Sequence, residues 1–235
     1  MLKKKLDLGW CQGYMALQYH YEIACEELNI TIKNITPSEK YAIFSKKYYE
    51  EIKSLNNIKI FDYCFIGSLE SNLINRKWVL EFVKKYFTIK SIFINTDNPI
   101  EWINLGKFDY TNIISGYCPK NQINNQSKNV QYRKVDENLN YFGFMRCSKF
   151  CLAPAGDAPW SFRFYEILMC ESIPIVESWH HTYRTKEESQ INYKYYLYTP
   201  SKKNIYNYDK NIIKHNTKLF NKYHLLHKQK FLLYN

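Results

Sequence analysis

No CxxC pair occurs anywhere in this sequence; its seven cysteines stand apart, at 11, 25, 64, 118, 147, 151 and 170. That spacing excludes the common zinc modules and the thioredoxin-type redox motif. Cys64, Cys151 and Cys170 fall inside apolar runs, where thiols serve as small buried hydrophobes, and a reducing compartment is expected. Neither GxGxxG nor GxxxxGK[ST] is present, nor any kinase signature, so the dinucleotide fingerprint and the P-loop are excluded. Without GxSxG there is no nucleophile elbow. No Asp-x-Asp occurs to hold a metal-bound diphosphate, and the adjacent His180 and His181 diverge on a helix or a strand, so no metal site is expected. No apolar run is long enough to span a bilayer, and the basic start "MLKKKLDLGW" leads into none. A cytoplasmic protein without a signal peptide is expected.

Lys, Asn, Ile and Tyr supply 98 of the 235 residues, so a single Lys or Tyr carries little information. A hydrophobic share of 46% is enough for a core of one large domain or two small ones. The net charge of +11 is uneven: residues 184–235 hold eleven Lys/Arg against three Asp/Glu. Such a tail attracts nucleic acid, anionic lipid or a phosphorylated ligand. It has no RNP motif, zinc-finger spacing or Gly/Arg repeat, which makes nucleic acid the less expected partner.

Residues 1–57 read as helical. Apolar spacings of three and four in "MALQYHYEIACEEL" form an amphipathic pattern, and Thr36-Pro37-Ser38-Glu39 reads as a helix start. Residues 58–67 and 89–95 are expected strands around a helix over 72–86. A helix over 137–147 leads into "SKFCLAPAGDAPWSFRFYEILMCESIPIVES", residues 148–178. This stretch reads as strand, loop, helix, strand. Residues 193–198 form a late strand candidate, and residues 205–235 read as basic helices. Repeated strand–helix–strand units imply an α/β fold with a parallel, Rossmann-like sheet. The expected division is 1–57, a helical segment; 58–200, the Rossmann-like domain; and 201–235, a basic helical tail.

In open α/β sheets ligands sit at the carboxyl ends of strands, where helix N-termini offer free N–H groups to anions. Two turns qualify: Gly67-Ser68 with Arg76 behind it, and Gly156 to Ser161, containing Asp157, with Arg163 behind it. Ser161 is the expected N-cap. Arg163 in the first helical turn would grip phosphate bidentately. Glu166, three residues on, shares its face and would accept ribose hydroxyls. That pairing suits a nucleoside diphosphate; an ordinary surface ion pair is the alternative. Trp160 and Phe162 either stack on a base or pack the loop, with packing favoured.

The ordered set Ser148-Lys149-Phe150-Cys151-Leu152, Pro154-x-Gly156, Arg163-x-x-Glu166 and Ile173-Pro174-Ile175-Val176 resembles the C-terminal motif of exostosin-like glycosyltransferases. "DYCFIGSL" with Arg76 downstream resembles that family's earlier Phe-x-Gly strand. Glu171-Ser172 stands where the family often has Gly-Cys, and Ile167 where it often has Ala. The resemblance implies a GT-B arrangement and a nucleotide sugar, UDP- or GDP-linked, as donor without a separate cofactor. It places Arg163 at the diphosphate and Glu166 at the ribose or base side. The implied activity is sugar transfer to a glycan or protein acceptor. Asp7, Glu22, Glu26 and Glu27 are available as a catalytic base, and nothing selects one. The 57 residues before the first strand are too few for a second Rossmann unit, so a slow transferase, or one completed by a partner chain, is expected. A nucleotide-sugar-binding module without turnover and a nucleic-acid-associated protein are the alternatives.

Overall fold

Short apolar runs buried on both faces are what a parallel sheet covered by helices on both sides requires. The computed structural model describes residues 12–30, 41–69, 73–95, 139–156, 160–178, 182–202 and 204–226. Among them run α1 (Gln12–Glu27), α2 (Lys46–Ser54), β1 (Phe61–Gly67), α3 (Leu73–Tyr86), β2 (Ser91–Asn95), α4 (Leu139–Arg146), β3 (Ser148–Leu152), α5 (Phe162–Met169), β4 (Ile173–Val176), a 3-10 turn (Glu188–Gln190), β5 (Tyr196–Leu197) and α6 (Lys210–Tyr223). The five strands form one open sheet in the order β2-β1-β3-β4-β5, and every pairing is parallel. The α/β fold expected from the alternating pattern is therefore present, in a form compatible with a Rossmann-like unit of GT-B type.

Alternation along the strands sorts the core into two layers. Cys64, Ile66, Ile92, Ile94, Cys151 and Val176 share a cluster with α2, α4 and α5. Phe65, Phe93, Phe150, Leu152, Ile173 and Ile175 pack with α3 residues Trp78, Val79, Phe82 and Val83. The flanking helices are built onto this frame. Tyr48, Tyr49 and Ile52 of α2 and Phe220 of α6 lie in the first cluster, so residues before 58 and after 200 help to cover the sheet.

The helix expected to start near Thr36 begins instead at Lys46; residues 41–45 are not helical, and 31–40 lie outside the described residues. Two groups set that start. Ser45 Oγ accepts the Tyr48 N–H at 3.0 Å, and the Glu27 carboxylate accepts the Lys46 N–H at 3.0 Å, satisfying first-turn donors. Just before it, Phe44 is fully buried and pairs in parallel with Leu225, its N–H donating to His224 O at 2.8 Å. A helix through Phe44 would break that pairing.

At the opposite edge of the sheet from the strands' carboxyl ends, Arg146, 2% exposed, donates to Lys53 O, Leu55 O and Glu171 Oε2. Glu171 has φ of 52°, the left-handed conformation a glycine takes most easily. It stands where the exostosin pattern often has Gly, and its 3.1 Å ion pair with buried Arg146 accounts for a carboxylate there.

Beside it Lys59 Nζ donates to Arg146 O at 2.5 Å, Ser172 Oγ at 2.9 Å and Cys170 O at 3.3 Å, capping the ends of α4 and α5. Burial pushes its pKa down to about 8. Between that value and the ordinary lysine value the unfolded chain binds more protons, so this group's contribution to stability rises with pH. Buried thiols with raised pKa titrate in the opposite sense there, so the comparison must be with Lys59→Met. The stability difference, parent minus variant, is expected to grow from pH 8 to pH 10 by at most about 1.4 kcal/mol per unit. Denaturant unfolding at the two pH values checks it, and a constant difference refutes it.

Candidate functional site

The strand order reverses between β1 and β3: β2 lies to one side of β1, while β3, β4 and β5 extend to the other. At such a reversal the connections leave in opposite directions and open a crevice at the carboxyl ends of the two strands. Both turns singled out in the sequence end there. Gly67-Ser68-Leu69 follows β1, and residues 153–156 follow β3.

Arg76 joins the two turns. Its Nε donates to Ala155 O at 3.1 Å and its Nη1 donates to Ser68 O. The first turn of α3 thus carries a guanidinium that holds both loop backbones at a fixed separation.

Arg163 lies across the same crevice. A Cβ built on Gly67 would stand 2.3 Å from Arg163 Nη2 and 2.9 Å from its Cζ, so the guanidinium occupies room that only glycine leaves. Its Cζ is 5.1 Å from the centre of the Phe65 ring, a cation–π contact. Its Nε donates to Tyr141 Oη at 3.5 Å, and Tyr141 Oη in turn donates to Glu166 Oε2 at 2.5 Å. Among the described residues neither terminal nitrogen of Arg163 has a hydrogen-bond acceptor. A charged fork held from behind by a ring, a hydroxyl and a glycine is arranged to receive an anion.

Glu166 lies one turn behind Arg163, as its spacing requires, but it is 1% exposed and takes the Tyr141 hydroxyl. A ribose contact would require this buried oxygen to change partners. In the present arrangement Glu166 orients Tyr141 and, through it, Arg163. Ser161 occupies the N-cap position of α5, yet its side chain makes no capping hydrogen bond. Its carbonyl accepts the Phe164 N–H at 3.0 Å, and its hydroxyl caps none of the first-turn N–H groups. Gly156 N–H meets Trp160 O at 3.5 Å, closing the loop.

Trp160 is buried edge-on to Tyr165, and Phe162 packs on His20 and Phe44. Both aromatic flanks pack the loop to the core. Glu27, one of the candidate bases, is engaged in capping α2 through Ser45 Oγ and Lys46 N–H. Glu22 and Glu26 lie on α1, and nothing selects either. Asp7, Asp157, His180 and His181 lie outside the described residues. Among the described residues no group of three His, Cys, Asp or Glu comes together as a metal site.

Two participants escaped sequence reasoning. Tyr141 is one of 22 tyrosines in a helix with no motif, and nothing in the string distinguishes it. Phe65 reads as a core strand residue, which it also is; only the neighbouring Gly67 hints that its face is approached by a side chain.

Residues 110–215 match the model of the Exostosin GT47 domain. This stretch contains β3, the Gly156 loop, Arg163, Glu166 and β4, and it begins after Gly67 and Arg76. Comparison with curated proteins and with solved structures finds no match. The domain match falls on the motif that builds one wall of the crevice and supports assigning the chain to the exostosin-like GT47 family.

Proposed function

We propose that the crevice between β1 and β3 binds a UDP- or GDP-linked sugar and that the chain transfers the sugar to a glycan or protein acceptor. The observation that carries this reading is the Arg163 guanidinium, seated against Gly67 with its terminal nitrogens directed to no protein acceptor among the described residues. As the glycosidic bond breaks, negative charge builds on the departing diphosphate. Arg163 and the first-turn N–H groups of α5 supply fixed positive charge and donors at that place, the form of stabilisation worth most in catalysis. Gly67 leaves the room in which Arg163 is seated, Gly156 lets its loop backbone approach the ligand, and Ser68 and Ser161 lie in the same turns. Asp157 is assigned to the donor side of its loop. Arg76 keeps the turns apart, and Glu166 with Tyr141 orients Arg163.

Donor binding in this reading needs no divalent metal, because protein charges neutralise the diphosphate. The acceptor side is a second requirement, met by the rest of the chain or by a partner chain completing the cleft.

Calorimetric titration with UDP, GDP and their sugars tests the reading. Saturable binding of one nucleotide is expected, in EDTA as well as with Mn²⁺. Arg163→Ala is expected to weaken it by about 1.5–3 kcal/mol, the range for hydrogen bonds to charged groups. Unchanged affinity in a folded variant overturns the assignment, and an absolute need for metal overturns the metal-free part. Binding without any transfer identifies a module that has lost turnover.

A further inference from the structure

Helix α6 carries a row of charge that the nucleotide site does not use. Lys210, Lys214, Lys218 and Lys222 recur every fourth residue, and all four are exposed. At 1.5 Å of rise per residue the row runs about 18 Å along one side of the helix. The other side is spent on the fold: Phe220 and Asn216 are buried, and Ile212, Ile213, Leu219 and Tyr223 pack against the core. Like charges four residues apart destabilise a helix. Among the described residues none of the four is in an ion pair, and the sequence from 202 to 230 sets eight lysines against the single Asp209.

A second observation lies at the Lys210 end. Ile205 is 70% exposed and Leu197 46% exposed. Tyr196 Oη donates to Asn207 O at 2.8 Å, which brings β5 beside the segment that leads into α6. Two large apolar side chains thus stand in solvent, Ile205 on the segment five residues before Lys210 and Leu197 on β5. No helix among the described residues is long and apolar enough to cross a membrane.

We propose that the lysine row of α6, with the exposed Ile205 just ahead of it in the chain, docks the protein peripherally on an anionic lipid surface. The side chains favour this over a nucleic acid. All four cations are lysines, point charges without the planar fork that reads phosphate geometry. Among the described residues the tyrosines nearest the row are engaged elsewhere: Tyr223 packs on Tyr41, Tyr208 meets Phe150 edge-on, and Tyr206 packs among Phe82 and Tyr86, so none of these rings is set out to stack on bases. Exposed Ile and Leu have no partner along a phosphodiester chain. At a bilayer they enter the headgroup boundary while lysines meet the negative leaflet, each lysine near the surface contributing favourably.

Co-sedimentation of the full chain with vesicles tests this. Vesicles of phosphatidylcholine with about 30 mol% phosphatidylserine are expected to retain the protein at least ~10-fold more tightly than phosphatidylcholine alone, with retention falling as salt rises. Lys214→Glu with Lys218→Glu is expected to cut retention by ~10-fold or more, and Ile205→Asn to cut it several-fold. Nucleotide binding and thermal unfolding of these variants are expected to match the parent, which separates loss of docking from loss of fold; Lys214→Gln with Lys218→Gln serves if the reversal unfolds the helix. Failure to bind anionic vesicles at physiological salt overturns the proposal. So does tighter retention of a single-stranded oligonucleotide that Ile205→Asn leaves unchanged, which would assign the row to nucleic acid. Because these residues lie outside the crevice, either failure leaves the nucleotide-sugar reading standing.

Discussion

Glu188→Ala is expected to destabilise the protein by about 3–5 kcal/mol, the cost of leaving the partners of a buried carboxylate unpaired. Glu188 is 4% exposed, on the 3-10 turn that precedes β5. Its Oε1 accepts the Ala42 N–H at 2.6 Å; its Oε2 accepts the Tyr165 hydroxyl at 2.6 Å and the Arg184 N–H at 2.7 Å. One side chain therefore ties the strand-like entry to α2, the middle of α5 and the loop after β4. Alanine removes all three acceptor contacts and opens a void. The Tyr165 hydroxyl is the most exposed to loss: burial and the neighbouring carboxylate already hold its pKa well above the usual tyrosine value, so it cannot ionise to adapt. Urea unfolding measures the effect, and for a chain of this size the melting temperature is expected to fall by roughly 6–20 °C. Glu188→Gln, which keeps one acceptor oxygen and the volume, is expected to cost less than alanine. A loss below about 1 kcal/mol for alanine would show that water or the backbone replaces the carboxylate.

The contrast between Glu188 and Arg163 shows what the string of residues reveals. Glu188 looks like any acidic residue in a polar loop; its value comes from Ala42 and Tyr165, 146 and 23 positions away, and no local pattern encodes such contacts. Arg163 was legible because strand, loop and helix N-terminus follow one another in the chain, and backbone geometry alone puts such a residue at the strand's carboxyl end. The strand runs 148–152 and 173–176 were legible for the same reason, being short, apolar and bounded by turn residues. The start of α2 was not, because Thr36-Pro37-Ser38 imitates a helix start while the burial of Phe44 and the reach of Glu27 from α1 decide the actual one. Glu166 shows the half-way case. Its spacing from Arg163 correctly gave the shared helix face, but its burial depends on Tyr141, which arrives from another helix.

Gly67→Ala is expected to lower nucleotide affinity about 10–150-fold, as much as Arg163→Ala, while leaving the fold intact. Gly67 ends β1 and pairs with Asn95 of β2, an extended position that alanine also adopts. The obstacle is the guanidinium: the new Cβ would fall 2.3 Å from Nη2 and 2.9 Å from Nη1. The far end of a flexible side chain yields before a central strand does, so Arg163 swings off Phe65 and leaves Tyr141, and the backbone stays. Stability is then expected to change by less than about 1 kcal/mol, since removing glycine from a strand offsets the lost contact. A double-mutant cycle decides whether the two residues act together. If Gly67 matters only as the seat of Arg163, alanine at 67 should add nothing once Arg163→Ala is present, and the coupling should equal the whole effect of the single change. Full affinity in Gly67→Ala would show that the guanidinium binds from a different position. Independent, additive losses would mean that the glycine serves the ligand directly, by admitting the diphosphate to the backbone of the β1 turn.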